Sequence, residues 1–515
     1  MYLTQGLHRS AQIHPNGIAT IFGKRRQTWP EMKERVARYA AALCALGMQR
    51  GDRVAIIALN SDRYIETYFA VAWAGGVVVP GNTRWAAAEH IHALQDSGAH
   101  ILIVDGNFVP LVQPISEACK IDTVIFMDDG DAPQGTHGIE ELIAGTSPME
   151  DACDEDDDLA GLFYTGGTTG RSKGVMLSHR SLISNFLCAN GVSPYSSDSI
   201  FLHSPPMFHL ADAAAIIGVS MAGGTHAVVP FFSPENVVKA IERERVTSAV
   251  FVPTMFGMLR EYLAQHPADL TSVDSIKYGA SPISESLLRA AMEMFPNAAF
   301  QQAYGQTELS PVATILEPVF HRPGDPRLRS AGRSIPGVDV RIVDPDMQEV
   351  AKGEVGEIAV KSPGAMLGYW NQPELTSRTI VDGWLRTGDA GYMDDEGFVY
   401  LVDRVKDMIV SGGENVFSAE VENALSAHGA VAECAVIGVP DEKWGERVHA
   451  IVRLMEGISA SEDDLIAHCK TLIAGYKCPR SVELRIEPLP LSGAGKILKT
   501  ELRKPYWEGQ ERRIG

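Results

Sequence analysis

The chain is 515 residues long, 45% apolar and 21% charged, with 45 Lys and Arg against 65 Asp and Glu for a formal net charge of −20. That length is about three times a ~150-residue domain, so several cores with a cleft between them are expected. The acidic balance argues against a general binder of nucleic acid or anionic membrane, and any anionic ligand must meet locally placed positive charge.

The seven cysteines are scattered, form no C-x-x-C and have no zinc-ligand spacing, which suits a reducing cytoplasm. The start, "MYLTQGLHRSAQ", lacks the apolar core of a signal peptide. Residues 213–232, "AAAIIGVSMAGGTHAVVPFF", approach the length of a membrane span. Gly223, Gly224, His226 and Pro230 interrupt them, which predicts a buried helix, a turn and a strand rather than stable membrane insertion.

From residue 30 to 300, short apolar runs alternate with amphipathic helical patterns: "RVAIIAL" (53–59), "AHILIVDG" (99–106), "DTVIFMD" (122–128), "GLFYT" (161–165), "SAVFVP" (248–253) and "SIKYG" (275–279). This spacing predicts an α/β fold of doubly wound, mostly parallel sheets, with ligands bound beyond the carboxyl ends of strands. Within this region "MEDACDEDDDL" (149–159) packs acidic side chains that repel one another, which predicts a solvated connector. From about 325 to 400 a Gly-, Pro- and Asp-rich texture predicts a small antiparallel, barrel-like β unit. After "VDRVKD" (402–407) a smaller α+β pattern follows: a helix near 418–427, strands near 432–438 and 447–453, and a helix opened by "SEDD" at 461–464. The expected division is a large domain over 1–402 and a small one over 403–515.

"YTGGTTGRSKG" (164–174) follows the "GLFYT" strand directly. Backbone N–H groups at Gly166, Gly167 and Gly170, with Thr165, Thr168, Thr169 and Lys173, suit nucleotide phosphates. It is not a P-loop, because Lys173 is followed by Gly174 where a magnesium-binding hydroxyl would stand. In "QQAYGQTE" (301–308), Glu308 is a hard oxygen ligand suited to Mg²⁺ on a triphosphate and Tyr304 offers a flat face to a base. Taken alone, Thr307-Glu308 equally suits the first turn of a helix. Asp389 in "RTGDAG" can accept from ribose hydroxyls and Arg404 can add a charge-assisted bond; in isolation they read as a turn residue and a surface ion pair. Lys496, in "LPLSGAGKILK" (489–499), is by itself one solvated lysine among several.

Together with "PPMFHL" and "VDRVKDMIVSGGENV", these motifs in this order resemble the adenylate-forming superfamily of acyl-CoA synthetases, peptide-synthetase adenylation domains and beetle luciferases, over about residues 10–505. The resemblance implies an enzyme using ATP, Mg²⁺ and coenzyme A. It joins a carboxylic acid to AMP with loss of pyrophosphate, then passes the acyl group to a thiol. It assigns Lys496 to the charge on the α-phosphate, Glu308 to Mg²⁺, Thr307 to the α-phosphate and residues 165–173 to the departing pyrophosphate. Adenine would lie between Tyr304-Gly305 and the Gly279-Ala280-Ser281 turn, with Asp389 and Arg404 on the ribose. Two departures stand out: Gly166 where the family usually has a hydroxyl, and Ser172 where it usually has proline.

The resemblance further implies a C-terminal domain that swings about Lys406, with Gly412 and Gly413 along the pantetheine path. Lys477 and Arg480 are candidates for the CoA phosphates or plain surface cations. His209 would gate an acyl pocket walled by Phe208, Val252, Met255, Ala303 and Ser310. Peptide-synthetase domains hold an aspartate in this region for an amino group; here Asp212 is out of register, and a buried ammonium without a partner is costly. An uncharged tail is expected, a medium- or long-chain fatty acid first and an aryl acid such as a benzoate or phenylpropenoate second. Dimers are common among such enzymes, so a homodimer is the expectation. The alternatives are another acyl acceptor, or a degenerate nucleotide-binding scaffold or sensor that would have lost Lys496 or Glu308; both are present.

Overall fold

The computed structural model describes residues 1–153, 155–165, 172–281, 283–322, 324–404, 408–411, 414–441, 444–492 and 496–508. Four predominantly apolar segments, Arg53–Ile57, Val77–Pro80, Ile101–Val104 and Thr123–Phe126, form the parallel centre of an eight-stranded sheet. Val77–Pro80, Ile101–Val104 and Thr123–Phe126 are buried at every position, as strands covered on both faces must be. A nine-stranded sheet carries Ile200–His203, Ser248–Phe251, Ser275–Gly279 and Ala299–Gly305 as parallel neighbours in that order.

The helix Asp62–Trp73 is buried along its whole length. Its acids are tolerated because Arg25 Nε lies 2.9 Å from Asp62 and Arg35 Nε donates to Glu66 at 2.7 Å. Helix starts follow their capping signals: Thr28 with Glu31, and Ser461 with Asp464, form reciprocal capping boxes.

The Gly- and Asp-rich region folds as the expected antiparallel unit, Asp339–Val343, Gly356–Lys361, Trp384–Met393 and Val399–Arg404 with the short Ile380–Val381. The C-terminal elements form another sheet in which Val431–Asp441 pairs antiparallel with Gly445–Leu454, and Ser481–Arg485 joins in parallel. Helices Ser418–Ser426 and Glu462–Leu472 cover it and close a core of its own around Val421, Leu425, Val436, Val448, Leu465 and Cys469.

Two features depart from expectation. The parallel pattern breaks where Leu159–Thr165 pairs antiparallel with Lys173–Ser178, and where Ala299–Gly305 pairs antiparallel with Val312–Leu316. A short connection can join only an antiparallel pair, whereas a parallel pair needs a crossover, and both breaks carry motif loops. The acidic run is an irregular surface segment, as expected of a solvated connector, with the Asp157 side chain 70% exposed, and ion pairs tether it. Asp151 is bonded by His8 at 2.7 Å, Asp157 by Arg180 at 2.8 Å and Asp158 by Arg50 at 2.7 Å. Residues 213–232 become the end of helix Leu210–Ala222, a left-handed cap at Gly223 and the strand Thr225–Val228. Among the described residues no helix is long and apolar enough to cross a membrane.

Candidate active site

The carboxyl ends of Ser275–Gly279 and Ala299–Gly305 lie side by side, with Gly279 in register with Ala303. A Cβ on Gly279 would stand 2.1 Å from the Ala303 carbonyl oxygen, and one on Gly305 would stand 1.9 Å from that of Pro311. Neither backbone oxygen can yield that far, so only glycine permits the approach. Beside them Ala280 and Ser310 hold φ of +65° and +67°, the left-handed region that non-glycine residues enter at a cost and that gathers at functional sites. Ser281 follows directly, half-buried.

Tyr304 is buried and donates its hydroxyl to Asp389 Oδ2 at 2.9 Å, tying the end of the nine-stranded sheet to the antiparallel unit. Asp389 is also the register partner of Arg404 across the antiparallel pair. Tyr304, Asp389 and Arg404, three of the residues assigned by resemblance to the nucleoside, are thereby on adjoining segments.

Thr307 and Glu308 open a short 3-10 helix, Thr307–Leu309, at the end of the Ala299–Gly305 strand. Glu308 is buried, its Oε1 accepts from the Tyr369 hydroxyl at 2.8 Å, and its carbonyl accepts from Met366 N at 2.9 Å. The Tyr369 ring in turn lies 4.8 Å beneath Lys173 Nζ. Burial and the Glu308 charge both push the Tyr369 hydroxyl well above its ordinary range, so it stays a donor. Tyr369 went unassigned in the sequence. Its signal was the "GYW" stretch, whose Gly368–Tyr369 pairs with the Lys173–Ser178 strand.

The C-terminal lysine loop is closed on itself. Ser492 N donates to the Lys496 carbonyl at 2.7 Å, Lys496 N donates to Ser492 Oγ at 3.1 Å, and Leu491 bridges Ile497. The loop rests against the large domain, where Arg84 Nη1 donates to the Ser492 carbonyl at 2.8 Å. His209, the N-cap of helix Leu210–Ala222, is half-buried with its ring 4.3 Å from Phe208 and its Nε2 without a hydrogen-bond partner among the described residues. Burial first, then the positive charges of Lys496 and Arg84, push His209 down to about 3, so the imidazole facing Lys496 is neutral. Arg84 carried no motif signal of its own.

Phe208, Val252, Met255 and Ser310 are buried, and Ala303 is half-buried. Asp212 is engaged elsewhere: its Oδ2 accepts from His203 Nδ1 at 2.7 Å, inside a buried chain in which His203 Nε2 meets His226 Nδ1 at 2.9 Å and His226 Nε2 meets Ser220 Oγ at 3.0 Å. In the small domain Lys477 Nζ is held by both oxygens of Glu420 at 2.8 Å, and the Arg480 guanidinium stacks 4.3 Å over Trp444. Thr165 and Lys173 are register partners that bring the two ends of the glycine-rich loop together. Gly166, Gly167, Thr168, Thr169, Gly170, Lys406, Gly412 and Gly413, with the side chain of Arg404, lie outside the described residues.

The family described as "AMP-binding enzyme" matches residues 7–370, and "AMP-binding enzyme C-terminal domain" matches 420–496. The chain belongs to the AMP-binding enzyme family. Feruloyl-CoA synthase of an Amycolatopsis species is 38% identical over 499 residues, covering 97% of this chain and 98% of the relative. The fatty acid–[acyl-carrier-protein] ligase ScoC of Streptomyces coeruleorubidus is 36% identical, covering 99% and 98%. Among solved structures, the anthranilate CoA ligase AuaEII in complex with anthranoyl-AMP superposes with a TM-score of 0.92 at 26% identity, over 98% of this chain and 97% of that one. As a member of this family the chain is an AMP-forming acid–thiol ligase.

Proposed function

We propose that the site activates a carboxylic acid with an uncharged fatty or aryl tail and transfers it to coenzyme A, with the division of labour set by the side chains above. The acid's oxygen attacks the α-phosphorus of ATP, a C–O–P linkage forms and pyrophosphate leaves. Holding two anions in line and cancelling the charge that builds on the α-phosphate is the chief physical demand. Lys496 meets it, delivered by the small domain to the neutral His209 face. Thr307 supports the same phosphate, while residues 165–173 hold the leaving pyrophosphate. Tyr304-Gly305 and Gly279-Ala280-Ser281 sandwich adenine, and Asp389 and Arg404 take the ribose.

The residues fit a magnesium ion shared with phosphate oxygens. Glu308 is a buried, oriented carboxylate, and among the described residues no group of three or more His, Cys, Asp or Glu forms a cage that would hold a metal alone. When bound there, the ion neutralises phosphate charge. In the second half-reaction the CoA sulfur attacks the acyl carbon and AMP departs. The small domain, with its boundary near 403 and hinge at Lys406, turns to admit the thiol past Gly412-Gly413, and Lys477 or Arg480 exchanges its present partner for a CoA phosphate. The engagement of Asp212 by His203 supports the uncharged tail, because that carboxylate is spoken for. A cytoplasmic homodimer completes the reading.

The observation that carries it is the docking of the Lys496 loop, from the far end of the chain, onto Arg84 of the large domain at 2.8 Å. The test is AMP and pyrophosphate release across C4 to C16 fatty acids, benzoate and ferulate. Release that depends on an added acid and on Lys496 supports the reading; ATP turnover indifferent to acid, or nucleotide binding without turnover, points to a hydrolase or a sensor.

A further inference from the structure

Along Ser275–Gly279, Ile276 and Tyr278 pack into the apolar cluster around Phe251, Phe256 and Phe295. Strand alternation therefore sends Lys277 to the opposite face, the one roofed by helix Leu210–Ala222. Lys277 Nζ lies there 3.7 Å from the centre of the Tyr195 ring, buried and, among the described residues, without a hydrogen-bond partner. Its register partner on the next strand is Gln301, buried at 8% exposure, whose Oε1 likewise has no hydrogen-bond partner among the described residues. A third orphan, Ser248 Oγ, belongs to the adjoining strand Ser248–Phe251.

An unsatisfied buried polar atom costs about 1–3 kcal/mol, so a donor and an acceptor left open on neighbouring strands call for a shared partner. Burial pushes the Lys277 amine down to about 7, with Asp274 partly offsetting it.

Position ties this pair to the reaction. Two residues further along the same strands, about 6–7 Å, stand Gly279 and Ala303, the small residues beside the nucleotide turn. The wall around Lys277 is aromatic: Tyr195 is stacked on Phe186 at 6.5 Å and edge-on to Phe201 at 5.7 Å. Gly218 on the roofing helix makes that possible, since a Cβ there would stand 2.9 Å from both Phe186 and Tyr195.

We propose that Lys277 and Gln301 form the far wall of the acyl pocket and select an aryl acid bearing a hydroxyl at its distal end. The hydroxyl oxygen accepts from the Lys277 amine, its hydrogen is donated to Gln301 Oε1, and the ring lies against Tyr195. This rests on the acid-activating reading above and narrows its substrate class to oxygenated aryl acids, away from plain alkyl chains.

The test compares 4-hydroxycinnamate with cinnamate in the wild-type enzyme and in Lys277→Met and Gln301→Leu, reading kcat and KM for each acid with KM for ATP alongside. The expected result is at least a tenfold preference in kcat/KM for the hydroxylated acid, carried mainly by KM. In both variants the preference falls toward unity, while the cinnamate value and the KM for ATP stay within about twofold. Equal use of the two acids by the wild-type enzyme overturns the proposal, meaning that water occupies the orphan pair. So does a loss in either variant that is the same for both acids, which is what a purely structural lysine or glutamine would give. Should one variant not fold, the other reads the same preference from the adjacent strand. ATP–pyrophosphate exchange with cinnamate alone separates the two readings: exchange without hydroxyl preference sinks only the wall, and no exchange with any acid sinks both.

Discussion

Arg84 Nη1 donates to the Ser492 carbonyl at 2.8 Å, a contact that spans 408 residues of sequence and fastens the lysine loop of the small domain to the large one. Under the proposed domain rotation the pairing belongs to the arrangement that presents Lys496, so it should favour the first half-reaction alone. Arg84→Gln is expected to slow acid-dependent ATP–pyrophosphate exchange about 3- to 10-fold, within the range of one charge-assisted bond at an exposed site. Thioester formation from preformed acyl-AMP should be unchanged. Equal slowing of both halves would show that Arg84 does not act through this docked state.

Lys496→Ala should lower exchange by about 10²- to 10³-fold, the usual cost of removing one preorganised donor from a developing charge. The thermal midpoint should hardly move, because Lys496 is itself half-buried and is not one of the core residues, unlike its neighbours Leu489 and Ile497. Undiminished exchange in this variant would remove the basis of the proposed mechanism.

Tyr369→Phe deletes the hydroxyl that orients Glu308 while keeping the ring beneath Lys173. Outer partners of a metal-binding carboxylate are worth about 10- to 100-fold in metal affinity. Titration of exchange activity with Mg²⁺ should show the half-saturating concentration rising by about that factor, with kcat at saturating metal partly restored. A variant with the wild-type Mg²⁺ dependence would exclude Glu308 from the metal site.

Acid should destabilise the fold from an unusually high pH. Burial pushes His90 and His321 down to about 4 and His209 down to about 3, and holds His226 well below its ordinary value. The unfolded chain takes up these protons near pH 6.5 and the native one does not, so stability falls as pH drops from about 6.5 toward 4. Asp62, pushed up to about 6 by burial, and Asp105, Asp212 and Asp274, also raised by burial, work in the opposite sense over the lower part of that window, so the loss is steepest near its upper end. His321 is set up to be neutral, with Nδ1 bonded to the Glu317 carbonyl and Nε2 to the Tyr278 hydroxyl. Denaturant unfolding from pH 7.5 to 4.5 should show this loss, and His321→Gln should flatten the slope. A stability that is level across the window would mean that these imidazoles titrate normally.

The parallel strands were legible because a run such as 101–104, "ILIV", is apolar at consecutive positions, which only a strand covered on both faces demands. The family was legible because its ordered motifs restrict residue type at fixed places along the chain. Tyr369 and Arg84 were not, because each acts on a partner 61 or 408 residues away and neither side chain is unusual in its local setting. Nor were the two antiparallel joints, since strand direction follows from how the chain returns rather than from its apolar pattern. The acidic run reads correctly as a surface connector, but its countercharges, His8, Arg50 and Arg180, come from other segments and were not legible.

Ser220 and Asp212 sit on one helix, and the two imidazoles between them sit on two neighbouring strands. With the carboxylate ionised, each link has one polarity: serine to His226, His226 to His203, His203 to aspartate. Helix Leu210–Ala222, the roof of the proposed acyl cleft, is thereby stitched to the sheet by a directional seam that cannot slide a single step without opening every stitch. Headroom is settled as the chain folds, before any guest arrives, so this enzyme should sort its acids by fit to a rigid chamber and not by moulding the chamber around them.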